Sequence, residues 1–362
     1  MKVIHIIDSG GLYGAESMLL ALVQEQKNIG IDTEVISIGT CEEQEKPLEL
    51  ELQRTGCVCY KVRMKPKPSI RQSISLINLC ISSGANIIHS HGYKGNIMMA
   101  IIPAIFRRLP VVATLHGYTK HKFLSKMTVY QFFDKVALRF LEAVVLVSPA
   151  ISINTIGIKK RLKVIFNGIS SIDSDVTLPF EKNNEDFFIG TMGRLSKEKN
   201  FSFLIKAMPE ILSQIPNAKL VIHGEGELRS ELEFLIDEMN LKKYVFLPGY
   251  VCDVNAFLKN IDVYVNCSIT EGMPITLLEA MRAKCLVLAS DISANKFLLE
   301  EKFGSLLYRL ELKEFVNSVF KLQAKCEEEK DYIKNELNIF FQKYFTARRM
   351  AENYKKLYME LL

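Results

Sequence analysis

Residues 271–281 read EGMPITLLEAM, and two carboxylates, Glu271 and Glu279, bracket the segment. Gly272, Met273 and Pro274 follow the first of them directly. Past Pro274 the residues are good helix formers, so the spacing predicts a helix opening near Thr276. A helix N-terminus beside a Gly/Pro turn presents free backbone N–H groups and a positive dipole end, which suits a diphosphate. Glu271, ahead of that helix, is then placed to reach a sugar, and Glu279, in its first turns, the hydroxyls of a ribose. An exposed loop followed by an ordinary amphipathic helix fits these eleven residues too.

A departing diphosphate needs positive charge. Arg194 near the end of the apolar run 187–195 and Lys199 just beyond it stand at the carboxyl edge where α/β sheets bind ligands. Together they supply that charge without a metal. No D-x-D string follows an apolar strand, and the one formed by Asp173 and Asp175 falls in the linker, so neither metal nor cofactor is expected. His116 ends the run VVATLH before Gly117, and its ring is expected to project into a cleft; a structural role at a strand end is the alternative. Gly10, Gly11 and Gly14 allow close approach to a phosphate or sugar, but their spacing is not G-x-G-x-x-G. GEGELR at 224–229 keeps only two glycines in register, which disfavours a nicotinamide enzyme. Glu225 and Arg229 are secondary candidates for nucleotide contact. Residues 246–250, with Pro248, are expected to form a loop meeting a base through backbone groups, which leaves UDP against GDP open.

Positioning these residues requires parallel sheets. Apolar runs at 3–7, 33–38, 86–90, 111–116 and 143–148 alternate with amphipathic stretches, the pattern of strands joined by crossover helices. The polar stretch 170–186 interrupts that rhythm, which restarts at 187–195, 219–228, 244–251, 263–268 and 286–290. Two doubly wound domains with a cleft between them are expected: residues 1–170, a linker at 171–186, residues 187–340, and a final helix over 341–362.

In this order the motifs resemble the retaining glycosyltransferases of family 4. EGMPITLLEA resembles that family's two-carboxylate signature, GGLYGAE (10–16) its first loop, and TLHG (114–117) its histidine loop. NGI (167–169), GRLSKEKN (193–200), GEGELRSEL (224–232) and FLPGYV (246–251) fall in the matching order. The resemblance covers residues 1–291. It implies the GT-B architecture, two Rossmann-like domains facing a cleft with the C-terminal helix crossing back to the first. It also implies transfer with retention from a UDP- or GDP-linked sugar, with Gly11, Gly14, Arg194, Lys199, Glu225, Pro248, Gly272, Met273, Pro274 and Glu279 at the donor. Glu271 would hold the sugar, and His116 would hydrogen-bond it and stabilise developing positive charge through its carbonyl. After Asp291 the family's glycine-rich loop with an acidic residue is replaced by ISANKFLLEE, which puts sugar or acceptor contacts in doubt.

Residues 1–165 carry 21 Lys+Arg against 12 Asp+Glu, nine net positive charges in a chain of net +5. A phosphate-bearing acceptor or an anionic membrane surface suits that excess, and so do ordinary solvated lysines. The segment 107–139, where Arg107, Arg108, Lys120, Lys122, Lys126, Lys135 and Arg139 interleave with Phe123, Leu124, Phe132 and Phe133, is the expected acceptor surface. No aromatic-interleaved basic motif or helix-turn-helix pattern points to nucleic acid. The eight cysteines lack C-x-x-C spacing and read as buried free thiols of a reducing compartment. No apolar run reaches the ~18 residues of a membrane span, so a cytoplasmic protein is expected, peripheral at the inner membrane face if it meets lipid. The expected product is a cell-surface polysaccharide or glycolipid. A nucleotide-sugar epimerase of the same architecture and a non-catalytic nucleotide-sugar-binding subunit are the alternatives.

Overall fold

A computed structural model describes residues 1–8, 11, 14–117, 126–151, 162–170, 186–251 and 253–362. The chain forms two compact units, Met1–Ser170 with Phe345–Leu362, and Ser171–Tyr344.

The first unit is built on seven parallel strands: β1 Lys2–Ile7, β2 Asp32–Thr40, β3 Cys59–Met64, β4 Ile87–His91, β5 Val111–Leu115, β6 Ala143–Leu146 and β7 Leu162–Val164. Their order is β3-β2-β1-β4-β5-β6-β7. β4, β5 and β6 are buried along their whole length, as strands covered by helices on both faces must be. The strand order reverses between β1 and β4, which pair from Val3↔Ile87 to Ile7↔His91. The carboxyl ends of those two strands are therefore this sheet's switch point.

Helix Ala347–Leu361 completes this unit from the far end of the chain. Thr346 caps it by accepting from Arg349 N. Met350, Ala351, Tyr354, Leu357 and Tyr358 then pack into one core with Val3, Met18, Leu22, Ile87, Val112 and Val145. A short parallel bridge, Ile169 N to Phe345 O at 3.0 Å and Ala347 N to Ile169 O at 2.8 Å, fixes its entry.

The second unit repeats the design with β8 Phe187–Met192, β9 Ala218–His223, β10 Val245–Gly249, β11 Val263–Asn266, β12 Val287–Ser290 and β13 Leu307–Tyr308. They run parallel in the order β10-β9-β8-β11-β12-β13, so its switch point lies between β8 and β11.

Several expectations need correction. The charged stretch 327–362 is two helices, Glu327–Tyr344 in the second unit and Ala347–Leu361 in the first, because Thr346 leaves helical geometry (φ −77°, ψ 147°). The division thus falls after Tyr344 rather than after residue 340. The strand-like run 244–251 does form the edge strand β10, so residues 246–249 of the base-contacting loop expected over 246–250 lie in that strand, with a register shift between Phe246 and Gly249 that accommodates Pro248. Strand β3 was not anticipated, since Lys61 and Arg63 interrupt its apolar pattern. Cys41 and Cys326 are exposed, not buried. The linker 171–185 and its aspartates, Gly10, residues 118–125 and Cys252 lie outside the described residues. Among the described residues, no helix is long and apolar enough to cross a membrane.

Candidate active site

In the second unit, three loops at the carboxyl edge are stitched backbone to backbone. Gly193 N donates to His223 O at 2.9 Å, Leu195 N to Glu225 O at 3.0 Å, and Gly224 N to Gly249 O at 2.8 Å. The approach leaves no room for side chains: a Cβ on Gly224 would stand 1.8 Å from Gly193 O, and one on Gly226 2.5 Å from Leu195 O. These glycines serve loop-to-loop packing. They hold the turn that carries Arg194, which is exposed at the end of β8, and Lys199.

Lys199 and Glu271 meet at the switch point. Lys199 Nζ donates to Glu271 Oε1 at 2.5 Å, and Ser268 Oγ donates to the same oxygen at 2.8 Å. Cys267 Sγ, 3.1 Å from Lys199 O, ties the two loops again. Beneath them lies a buried polar lattice. Asn266 Oδ1 accepts from Ser268 N and Asn295 Nδ2, both at 3.2 Å, and Ser290 Oγ donates to Ser268 O at 2.6 Å. Asn295 comes from the segment that departs from the family pattern, and it serves as a strut of the Glu271 loop. Ser268 and Asn295 were missed in the sequence, because isolated polar residues at strand ends carry no spacing signal.

The carboxylate-bearing helix runs Ile275–Arg282, with Pro274 as its N-terminal cap, one residue earlier than expected. Met273 and Pro274 are buried, Gly272 partly so. Tyr264 OH donates to Thr276 Oγ1 at 2.6 Å, and Asn338 donates to the carbonyls of Met281 and Arg282, closing the helix's other end. Desolvation raises Glu279's carboxyl to about 7, opposed weakly by the charge of Arg282. Glu225 is less available. Arg229 holds it at 2.6 Å while also donating to Leu247 O at 2.9 Å, so this pair buttresses β10. Pro248 is exposed on that edge.

His116, Gly11 and Gly14 belong to the first unit, where Gly14 opens helix Gly14–Asn28. His116 is one of four neighbouring imidazoles. His5 Nδ1 lies 2.9 Å from His91 Nε2, and His5 Nε2 lies 2.8 Å from Gln26 Oε1. Gln26 Nε2 donates to Tyr358 OH, which lies 2.7 Å from His89 Nδ1; His89 Nε2 lies 2.7 Å from Thr114 Oγ1, and that oxygen 2.8 Å from Tyr354 OH. The His91 and His116 rings stack with centroids 5.8 Å apart. Burial keeps all of them neutral: His5 and His116 fall to about 4, His89 and His91 well below their ordinary value. His5, His89 and His91 have ligand atoms within 4.8 Å of one another, yet both nitrogens of His5 and of His89 are already engaged. The arrangement is a hydrogen-bonded chain.

The expected acceptor surface divides. Arg107 is fully buried, paired with Glu142 at 2.6 Å and donating to the carbonyls of Met99, Ile102 and Leu109. It is a core cation and not part of the surface expected from the sequence. Helix Lys126–Ala137 buries Asp134 against Asn96 at 2.8 Å and exposes Val129, Phe132, Phe133 and Val136, which helical spacing places on one stripe continued by Phe140. Lys135 and Arg139 are exposed along it.

Two family models match, Glycosyltransferase Family 4 over residues 13–171 and Glycosyl transferases group 1 over residues 178–338. The chain is 29% identical to the UDP-Gal:alpha-D-GlcNAc-diphosphoundecaprenol alpha-1,3-galactosyltransferase of Escherichia coli, across 70% of each chain. It is 30% identical, over 41% of its length and 40% of the relative's, to the Campylobacter jejuni N-acetylgalactosamine-N,N'-diacetylbacillosaminyl-diphospho-undecaprenol 4-alpha-N-acetylgalactosaminyltransferase. Among solved structures, HepE of Anabaena in complex with UDP superposes with a TM-score of 0.80 at 19% identity, covering 100% of both chains. That likeness establishes the GT-B fold.

Proposed function

The chain belongs to the group 1 glycosyltransferases with a family 4 N-terminal half, and from that premise we propose that it moves a sugar, with retention, from a UDP-linked donor to a hydroxyl of a lipid-linked glycan. That it is a nucleotide-sugar-dependent transferase follows from the family; donor, acceptor and stereochemistry are the proposal. The Lys199–Glu271 pair at the switch point of the second unit carries it, since it sets a cation and a carboxylate where α/β sheets take nucleotide ligands.

In this reading Arg194 and Lys199 neutralise the charge that gathers on the diphosphate as the glycosidic bond breaks. Glu271 orients sugar hydroxyls, and the N-terminus of helix Ile275–Arg282, at Gly272, Met273 and Pro274, adds backbone donors to the phosphates. Glu279, once ionised, accepts from the ribose. His116 meets the reacting face of the sugar, which develops oxocarbenium character. The leaving phosphate takes the acceptor's proton, so attack comes from the face the diphosphate leaves. Two cationic side chains supply the charge that a metal would otherwise provide.

The names of the relatives favour a UDP donor and an undecaprenyl-linked acceptor, and the stripe Val129–Phe132–Phe133–Val136–Phe140 with its basic flank gives such an enzyme a place to rest on an anionic bilayer at the cytoplasmic face. Calorimetric titration with UDP and GDP, with and without EDTA, tests the donor site. UDP binding untouched by EDTA is expected; binding of neither nucleotide, or binding that EDTA abolishes, sinks the reading. Flotation with phosphatidylglycerol vesicles tests the bilayer contact, which Phe132→Asp with Phe133→Asp should abolish.

A further inference from the structure

Two imidazoles stand side by side at the carboxyl edge of the first sheet, each with a buried ring nitrogen lacking a partner among the described residues: His91 Nδ1 and His116 Nε2. The hydrogen-bonded chain behind His91 determines what its nitrogen offers. Gln26 Oε1 accepts only, so His5 Nε2 carries a hydrogen and donates to it. His5 is neutral, so its Nδ1 holds a lone pair and accepts from His91 Nε2–H. His91 is neutral as well, which leaves Nδ1 bare. It is an acceptor fixed in one tautomer by a relay through His5 to Gln26, and Gln26 is anchored in turn by Tyr358 and Thr33.

A buried acceptor without a donor costs about 1–3 kcal/mol. An incoming O–H relieves that cost. His91 is the last residue of β4, and a Cβ on the following Gly92 (φ 112°) would meet nothing within 4 Å, so there is open space beside it. Tyr93 OH donates to Gly117 O at 3.1 Å, drawing the loop after β4 to the loop after β5 that follows His116. His91 Nδ1 offers a lone pair without charge, which matches a neutral hydroxyl.

We propose that His91 is a second sugar-binding histidine, its Nδ1 accepting a hydrogen bond from a hydroxyl of the donor sugar that meets His116. The proposal rests on the assignment of His116 to the donor sugar. His5 and Gln26 are then positioning residues, which act by holding the His91 tautomer.

Long-range nitrogen–proton spectra of the histidines in the full chain read the tautomer directly, whether or not a donor has been found. The Nε2–H form of His91 is expected, and the Nδ1–H form overturns the proposal. Substitution then separates the two nitrogens. Asn places its amide near the position of Nδ1, Gln near that of Nε2. With a UDP-hexose that the unaltered enzyme turns over, His91→Gln should lose about 10- to 100-fold in kcat/KM, while His91→Asn keeps most of it. The reverse ranking assigns His91 a purely structural role and overturns the proposal. A deoxy donor lacking the contacted hydroxyl should cost the unaltered enzyme a similar factor and His91→Gln little more. A loss confined to the KM of the acceptor also overturns it. Failure of every UDP-hexose would count against the donor reading, leaving the tautomer to decide this one.

Discussion

Glu271 and Glu279 sit within one short motif in different surroundings. Glu271 accepts from Lys199 and Ser268; Glu279 is desolvated, its carboxyl raised to about 7. Lys199→Ala and Glu271→Ala should each lower turnover by about 100-fold or more, the loss that follows from removing one electrostatic contact. Near-normal turnover in both would remove this site. For Glu279 the sign is fixed by linkage. A carboxyl raised in the folded state favours folding below its unfolded value near 4.5, and that advantage is lost as pH rises to about 7. Glu279→Gln should therefore leave stability unchanged near pH 4 and raise it at pH 8. The gain should be on the order of 2 kcal/mol, discounted for the solvent reaching a partly exposed group. The same variant should bind UDP more weakly at pH 8, and unaltered enzyme should bind UDP more tightly at pH 8 than at pH 6. Thermal melts and titrations at those pH values settle both.

At the scale of elements, Gly224 shows what positions the cations. A methyl group there would fall 1.8 Å from Gly193 O, in a residue already at φ 137°, so Gly224→Ala must push apart the loops after β8 and β9. Loss of most activity with the helices intact by circular dichroism is expected; unaltered kinetics would show that the loop contact is dispensable. The alternation of strands and helices was legible because buried parallel strands are continuous apolar runs, as in β4 and β5. The motif order was legible because glycines, prolines and paired charges mark strand ends. What escaped was tertiary. β3 hides behind Lys61 and Arg63, Arg107 reads as a surface cation until Glu142 is found beside it, and Asn295 has meaning only against Asn266 and Ser290. The relay from His91 to Gln26 escaped for the same reason: residues 5, 26, 89, 91 and 358 converge only once the sheet has formed.

The molecule consists of two sheets of like topology, each reversing its strand order at the place where candidate ligand groups gather. The units differ in how they are sewn. The second is continuous in sequence, whereas the first takes its last helix from residues beyond the whole of the second. Removing Phe345–Leu362 withdraws Met350, Tyr354, Leu357 and Tyr358 from the core of the first unit and strips Gln26, His89 and Thr114 of hydrogen-bond partners. Such a truncation should abolish slow amide exchange in β1, β4 and β5 while leaving β8 and β9 protected, as mass spectrometry would read. Protection retained in β1 and β4 would mean that the helix only decorates the sheet.

The same stitching sets an order of events during synthesis. Residues 1–170 leave the ribosome early, yet their core has a place that only Phe345–Leu362 fills, and Ser171–Tyr344 emerges in between. The second unit is therefore the first able to finish folding, and the nascent N-terminal sheet must wait, part-formed, until the last turn of helix has cleared the exit tunnel.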